Sequence, residues 1–229
     1  MERLIIEELL QWKTSPRRKP LILNGARQVG KTWILKHFGE IHYDNVAYIN
    51  CDKESLAAKL FEDYDVKRII QALEAMTNTQ IVAGKTLIII DEIQEVPRGL
   101  HALKYFAENA PEQHIAVAGS LLGLLLHQGE SFPVGKVNML QMYPMTFLEF
   151  LKAIGEDKMY QQLVNREWSV TNTVHEKIVK HLRMYLYVGG MPEAVQAYCD
   201  NVPLREIRTI HNEILTAYIN DLSKHAPKE

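Results

Sequence analysis

The chain has 229 residues, 47% of them hydrophobic and 24% charged, with a formal net charge of −2 at pH 7. That length suits one large domain, or an α/β domain with a smaller companion, and a core built without disulfides. The near-neutral charge excludes a global pull toward nucleic acid or anionic membrane, and no apolar stretch approaches the ~20 residues that span a bilayer.

Leu4, Ile5, Leu9 and Trp12 recur at helical spacing and predict an amphipathic helix over 2–12. Glu2, Glu7 and Glu8 interrupt its apolar run as a secretory signal would not, so a cytoplasmic location is expected. Ser15-Pro16 stops the helix, and Arg17-Arg18-Lys19 reads as a solvated turn. Leu21–Asn24 is a short apolar run ending at a glycine, as a buried parallel strand would be, and 31–38 continues as a helix. A second strand is expected over 46–50, a helix over 54–77, and a third strand over 86–90. A helix over 102–109, a fourth strand over 115–118, a helix over 121–127 and a fifth strand over 136–142 complete the alternation. Strands that alternate with helices, and are apolar throughout, predict a parallel sheet covered on both faces.

After Pro144 the pattern becomes helical, with segments near 146–154, 158–165, 173–187 and 192–200. The last stretch, 203–222, carries Leu204, Ile207, Ile210, Ile214, Tyr218 and Leu222 as a stripe at helical spacing. The expected organisation is a nucleotide-binding α/β domain at 1–144, a helical lid at 145–202, and a C-terminal helix at 203–229 that either packs back on the helical bundle or begins a linker or further domain. Cys51 and Cys199 are far apart, in no metal or redox spacing, and are expected to be reduced, buried thiols.

The strongest chemical signal is Gly25-Ala26-Arg27-Gln28-Val29-Gly30-Lys31-Thr32, which fits G-x-x-x-x-G-K-[ST] between a strand and a helix. Gly25 and Gly30 permit backbone conformations that residues with a Cβ avoid, so amide N–H groups can turn inward as an anion nest. Lys31 supplies positive charge for the outer phosphates of ATP, and the Thr32 hydroxyl can take one position on Mg2+. Some sixty residues on, Leu87–Ile90 runs into Asp91-Glu92. A strand ending this way puts Asp91 at the carboxyl edge of the sheet, where it would hold the metal. Glu92 is placed to deprotonate or orient the attacking water. Ser120, after the fourth strand, is expected either to position that water beside the terminal phosphate or to cap a helix. Asn50 and Asp52 read as a turn. His175 and His181 are six apart and point to different faces of a helix, which excludes a zinc pair.

These residues, with Tyr143–Phe150 (YPMTFLEF) and Gly189–Glu193 (GGMPE), resemble one bacterial and archaeal group of AAA+-superfamily P-loop ATPases. The resemblance covers nearly the whole chain. It implies a three-layer α/β sandwich with a five-stranded parallel sheet in the AAA+ order, then a small helical lid and, in the group, a C-terminal domain absent here. Two positions depart from the group. Lys136 follows Gly135 where an arginine is usual, and 193–198 lacks the lid arginine of many AAA+ proteins. Arg27 and Arg98 are the arginines nearest the motifs.

Three functions follow from these readings. The first is an ATPase that hydrolyses ATP with Mg2+ to drive or gate a conformational change. The second is a nucleotide-gated switch with little turnover, regulating a partner domain or protein at the 203–222 helix. The third, a small-molecule kinase, fits less well, because adjacent Asp-Glu suits activated water better than an acceptor hydroxyl. The sequence leaves nucleic-acid binding and oligomeric state open.

Overall fold

The continuous apolar runs form the middle of one sheet. The computed structural model describes residues 1–53, 56–119, 133 and 135–225; Ser120 and the expected helix over 121–127 lie outside them. The strands are β1 (Leu21–Asn24), β2 (Asn45–Asn50), β3 (Thr86–Asp91), β4 (His114–Gly119) and β5 (Asn138–Gln141). All pair in parallel, in the order β2-β3-β4-β1-β5. Every residue of β3 and β4 is buried, as strands covered on both faces must be. The outer strands β2 and β5 alternate in burial instead, and β5 is shorter than the expected 136–142.

The sheet belongs to a unit of residues Ile5–Ala26 and Gly30–Met142, with helices α1 (Ile5–Thr14), α2 (Lys31–His42), α3 (Ala57–Leu60), α4 (Val66–Thr77) and α5 (Pro97–Asn109). Its core joins Ile22, Ile88 and Ile90 of the sheet to Phe61, Ile69, Leu73 and Phe106. The single helix expected over 54–77 is split. Asp65 caps α4, its carboxylate accepting from the N–H of Lys67 at 3.0 Å and of Arg68 at 3.4 Å, while Tyr64 turns the chain at φ 58°. An aspartate side chain offers the backbone an alternative to continuing a helix, and periodicity alone missed it. Likewise α5 starts at Pro97 rather than 102, at a position proline tolerates.

A second unit comprises Met1–Leu4, Arg27–Val29 and the described residues from Tyr143 onward. It contains α6 (Phe147–Ala153), α7 (Asp157–Val164), α8 (Trp168–Thr173), α9 (His175–Val188), α10 (Pro192–Cys199) and α11 (Leu204–His225). Met145, Phe150, Val188, Ala194, Val195 and Ile207 form its core, against which Ile210 also packs. The C-terminal stripe is therefore partly covered: Ile207 and Ile214 are buried, whereas Leu204 is exposed, as are Leu215 and Ile219 beside the stripe. Among the described residues no helix is long and apolar enough to cross a membrane.

The two motifs after residue 142 meet here as structure. The Met145 N–H donates to Gly190 O at 2.6 Å, and Tyr185 donates its hydroxyl to Met145 O at 2.8 Å. The approach is so close that a Cβ on Gly190 would lie 2.2 Å from Met145 O, a backbone atom. Gly190→Ala is therefore expected to destabilise this unit by about 1–3 kcal/mol, read as a lowered urea midpoint. An unchanged midpoint would show that the two segments separate freely.

Candidate functional site

The backbone from Gly25 to Thr32 leads from the end of β1 into α2. At its entry Met142 N–H donates to Asn24 O at 2.7 Å, bringing the chain after β5 so near that a Cβ on Gly25 would sit 2.4 Å from Met142 O. Glycine is required there by crowding. Gly30 is left-handed, φ 95° and ψ 23°, and stands at the N-terminus of α2 with no capping side chain. Gln28 is left-handed too, at φ 63°, which the sequence did not signal. Left-handed residues alternating with ordinary ones turn successive N–H groups to one side, and an uncapped helix start leaves further donors for an anion. Lys31 is buried, and its Nζ donates to Gly25 O and Ala26 O at 2.7 Å each, keeping the ammonium inside the curve of the loop.

The end of β3 faces the start of α2. Thr32 Oγ1 donates to Asp91 Oδ2 at 2.6 Å, and Tyr48 on β2 donates its hydroxyl to the same oxygen at 3.2 Å. Asp91 Oδ1 accepts from the N–H of Glu92 at 3.1 Å. The carboxylate is 2% exposed yet held on both oxygens. Glu92 is left-handed at φ 50°, an uncommon state for a non-glycine residue, and its Oε2 accepts from the side-chain amide of Gln94. Gln94 Oε1 is buried with no partner among the described residues, so that amide is oriented by Glu92. Cys51, whose N–H donates to Asp91 O at 2.9 Å, reports the local field. Burial, then the charges of Asp91, Glu95 and Glu92, push its thiol up to about 12, so it is inert at neutral pH. Cys51 is buried and Cys199 half-buried, both unpaired, so the expectation of two buried thiols holds for the first only.

Thr32 and Asp91 fit a magnesium ion. They bring a hydroxyl and a carboxylate oxygen together, hard donors of the kind Mg2+ takes in small number while keeping phosphate and water for the rest. The described residues hold no cluster of three or more His, Cys, Asp or Glu, as an all-protein metal cage would need.

Arg27, Gln28 and Val29 pack with the helical unit. Arg3 is buried there and donates from Nη1 to Val29 O at 2.8 Å, from Nη2 to Tyr143 O at 2.7 Å, and from Nε to Glu149 Oε1 at 2.9 Å. Tyr218 on α11 donates its hydroxyl to Arg27 O at 2.7 Å. The Glu149 carboxylate also closes a capping box with Thr146 at the start of α6. None of these long-range partners was singled out from the sequence. The capping box, Thr146-x-x-Glu149, was the one signal available.

Asn50 Oδ1 accepts from the N–H of Asp52 at 3.0 Å and of Lys53 at 3.2 Å, which makes it a turn. Lys136 pairs with Glu108 at 2.9 Å, and Arg98 lies over the Tyr64 ring at 4.9 Å. Ser120 lies outside the described residues.

Residues 17–151 match a family model described as an AAA domain, and residues 179–229 match a domain of unknown function, DUF8612. An uncharacterized protein of Haemophilus influenzae is 27% identical over 96% of this chain and 50% of its own length. The chain thus spans about half the length of the curated relative it matches. Among solved structures, the Walker-type ATPase PABY2304 of Pyrococcus abyssi superposes with a TM-score of 0.58 at 16% identity, over 99% of this chain and 76% of that one. AMPPCP-bound DnaA from Aquifex aeolicus gives a TM-score of 0.45 at 14% identity, over 98% of this chain and 69% of that one.

Proposed function

The chain belongs to the AAA domain family, and from that premise we propose that it is a cytoplasmic ATPase that binds ATP with Mg2+ and hydrolyses it to drive or gate a conformational change. The observation that carries this reading is the 2.6 Å contact of Thr32 with Asp91, beside a buried Lys31 held in the loop and with Glu92 next in sequence. Loop amides from 25–32 and Lys31 bind the phosphates. Thr32 and Asp91 would hold the metal, which when bound would neutralise phosphate charge. Glu92 accepts the proton of the water whose oxygen forms the new bond to the γ-phosphorus, as the bond to the ADP oxygen breaks. Ser120 is assigned to positioning that water. We read 1–144 as the nucleotide-binding domain, 145–202 as its lid and 203–229 as the helix facing a partner domain or protein. Exposed Leu215 and Ile219 support the last assignment.

The second reading, a nucleotide-gated switch with little turnover, is favoured by the absence of arginine from 193–198 on the helix after Gly189-Gly190. Nucleotide binding and phosphate release, measured on wild type and Lys31→Ala, separate the possibilities. Losing a charge-assisted contact to phosphate is expected to weaken ATP binding by about 10- to 100-fold. Tight binding without phosphate release selects the switch. Wild type that binds no better than Lys31→Ala sinks both readings.

A further inference from the structure

We propose that α11 is a latch on the phosphate-binding loop, with the Tyr218 hydroxyl as its contact, so that ATP occupancy and the docking of α11 are linked. The proposal rests on the ATP-binding reading above and deepens it by naming the element that senses the loop. Tyr218 reaches the loop from 191 positions away in sequence and donates to Arg27 O at 2.7 Å. Arg3 donates to Val29 O at 2.8 Å, two residues further along the same backbone.

The consequence follows from peptide geometry. A trans peptide is planar, with its C=O and N–H pointing opposite ways. Holding the Arg27 carbonyl therefore aims the N–H of Gln28 away from Tyr218, and holding the Val29 carbonyl aims the N–H of Gly30 away from Arg3. Gln28 and Gly30 are the left-handed residues of the loop, at φ 63° and 95°. The N–H of Gln28 depends on backbone that a non-glycine residue adopts with reluctance, so orientation from outside matters most there. A hydrogen bond accepted by a carbonyl also polarises its peptide and strengthens the N–H as a donor.

Arg3 is buried among fixed partners and makes a permanent support. Tyr218 is half-buried, on a helix anchored by buried Ile207 and Ile214 but exposed at Leu215 and Ile219. Tyr218 is the adjustable partner of the two. If it favours the loop conformation that binds phosphate, then phosphate must favour the docked helix by the same factor, because coupling between sites is reciprocal.

Tyr218→Phe removes the hydroxyl and keeps the ring. It is expected to weaken ATP binding by about three- to tenfold, on the scale of one hydrogen bond, and to lower the unfolding midpoint only slightly. In wild type, ATP with Mg2+ is expected to slow hydrogen exchange over 204–225, and in Tyr218→Phe this slowing is lost. Tyr187→Phe is the control, since that hydroxyl donates at 3.3 Å to Leu204 O at the start of α11 and not to the loop. Its ATP affinity should stay within about twofold of wild type, a smaller change than one hydrogen bond to the loop would give. Wild type that binds ATP, with affinity unmoved by Tyr218→Phe or with exchange over 204–225 indifferent to ATP, overturns the latch and leaves the functional reading standing. Wild type that binds no ATP overturns both.

Discussion

Glu92→Gln is expected to lower the rate of phosphate release by about 10²- to 10⁴-fold, the usual contribution of a positioned general base, while ATP affinity stays within about threefold. Glutamine has nearly the shape of glutamate but cannot take a proton from water. The surroundings favour a clean substitution. Glu92 Oε2 accepts from the Gln94 amide, and the carbonyl oxygen of a glutamine at 92 can accept the same bond. The left-handed backbone at 92 is equally strained for either side chain. The contacts that order Lys31, Thr32 and Asp91 run through Gly25 O, Ala26 O, Tyr48 and the N–H of residue 92, all of which survive. Phosphate release and nucleotide binding measured on the same preparation decide the matter. Turnover that persists in Glu92→Gln would remove the carboxylate from the mechanism. Loss of binding together with turnover would mean that residue 92 shapes the site instead of serving as its base.

The sheet and the centre of the site were legible because their signals are local. A buried parallel strand must be apolar at every position, so β3 and β4 announce themselves, and the loop motif lies between β1 and α2 in consecutive residues. Those two signals put Thr32 and Asp91 at one sheet edge, where their side chains meet at 2.6 Å. Local reasoning failed where a single side chain decides the backbone, as Asp65 does in starting a new helix, α4, within the single helix expected over 54–77. It failed more completely where partners lie far apart in sequence. Tyr48 on Asp91, Arg3 on Val29 O and Tyr218 on Arg27 O have no spacing that a scan along the chain could find. In the stripe on α11, Tyr218 reads as one more apolar position. Its ring serves the helix, while its hydroxyl does something that periodicity cannot express.

The second large effect concerns a residue with no place in the chemistry. Glu149→Ala is expected to cost about 3–5 kcal/mol, the usual penalty for leaving one half of a buried ion pair alone. Arg3 and Glu149 are both buried, and all three guanidinium nitrogens and both carboxylate oxygens are hydrogen-bonded. Glu149 Oε1 accepts from Arg3 Nε and from the N–H of Leu4 at 2.9 Å, and Oε2 from the N–H of Thr146 at 2.8 Å. Removing the carboxylate strands the Arg3 charge and opens half of the capping box at the start of α6, whereas Arg3→Met with Glu149→Met together should cost less than the sum of the single changes. The dependence on pH has a definite sign. Burial alone would raise the Glu149 carboxyl, but the Thr146 N–H, the Arg3 guanidinium and the Leu4 N–H outweigh it and hold the group below its ordinary 4.5. A carboxyl lowered in the folded state contributes stability that is full above 4.5 and drains away as pH falls toward the folded value. Urea midpoints of wild type and Glu149→Gln should therefore differ most at neutral pH and converge as the solution is acidified below 4.5. A gap that stays constant through that range would mean that the loss comes from packing, and that the charge on Glu149 contributes nothing to holding Arg3 beneath the loop.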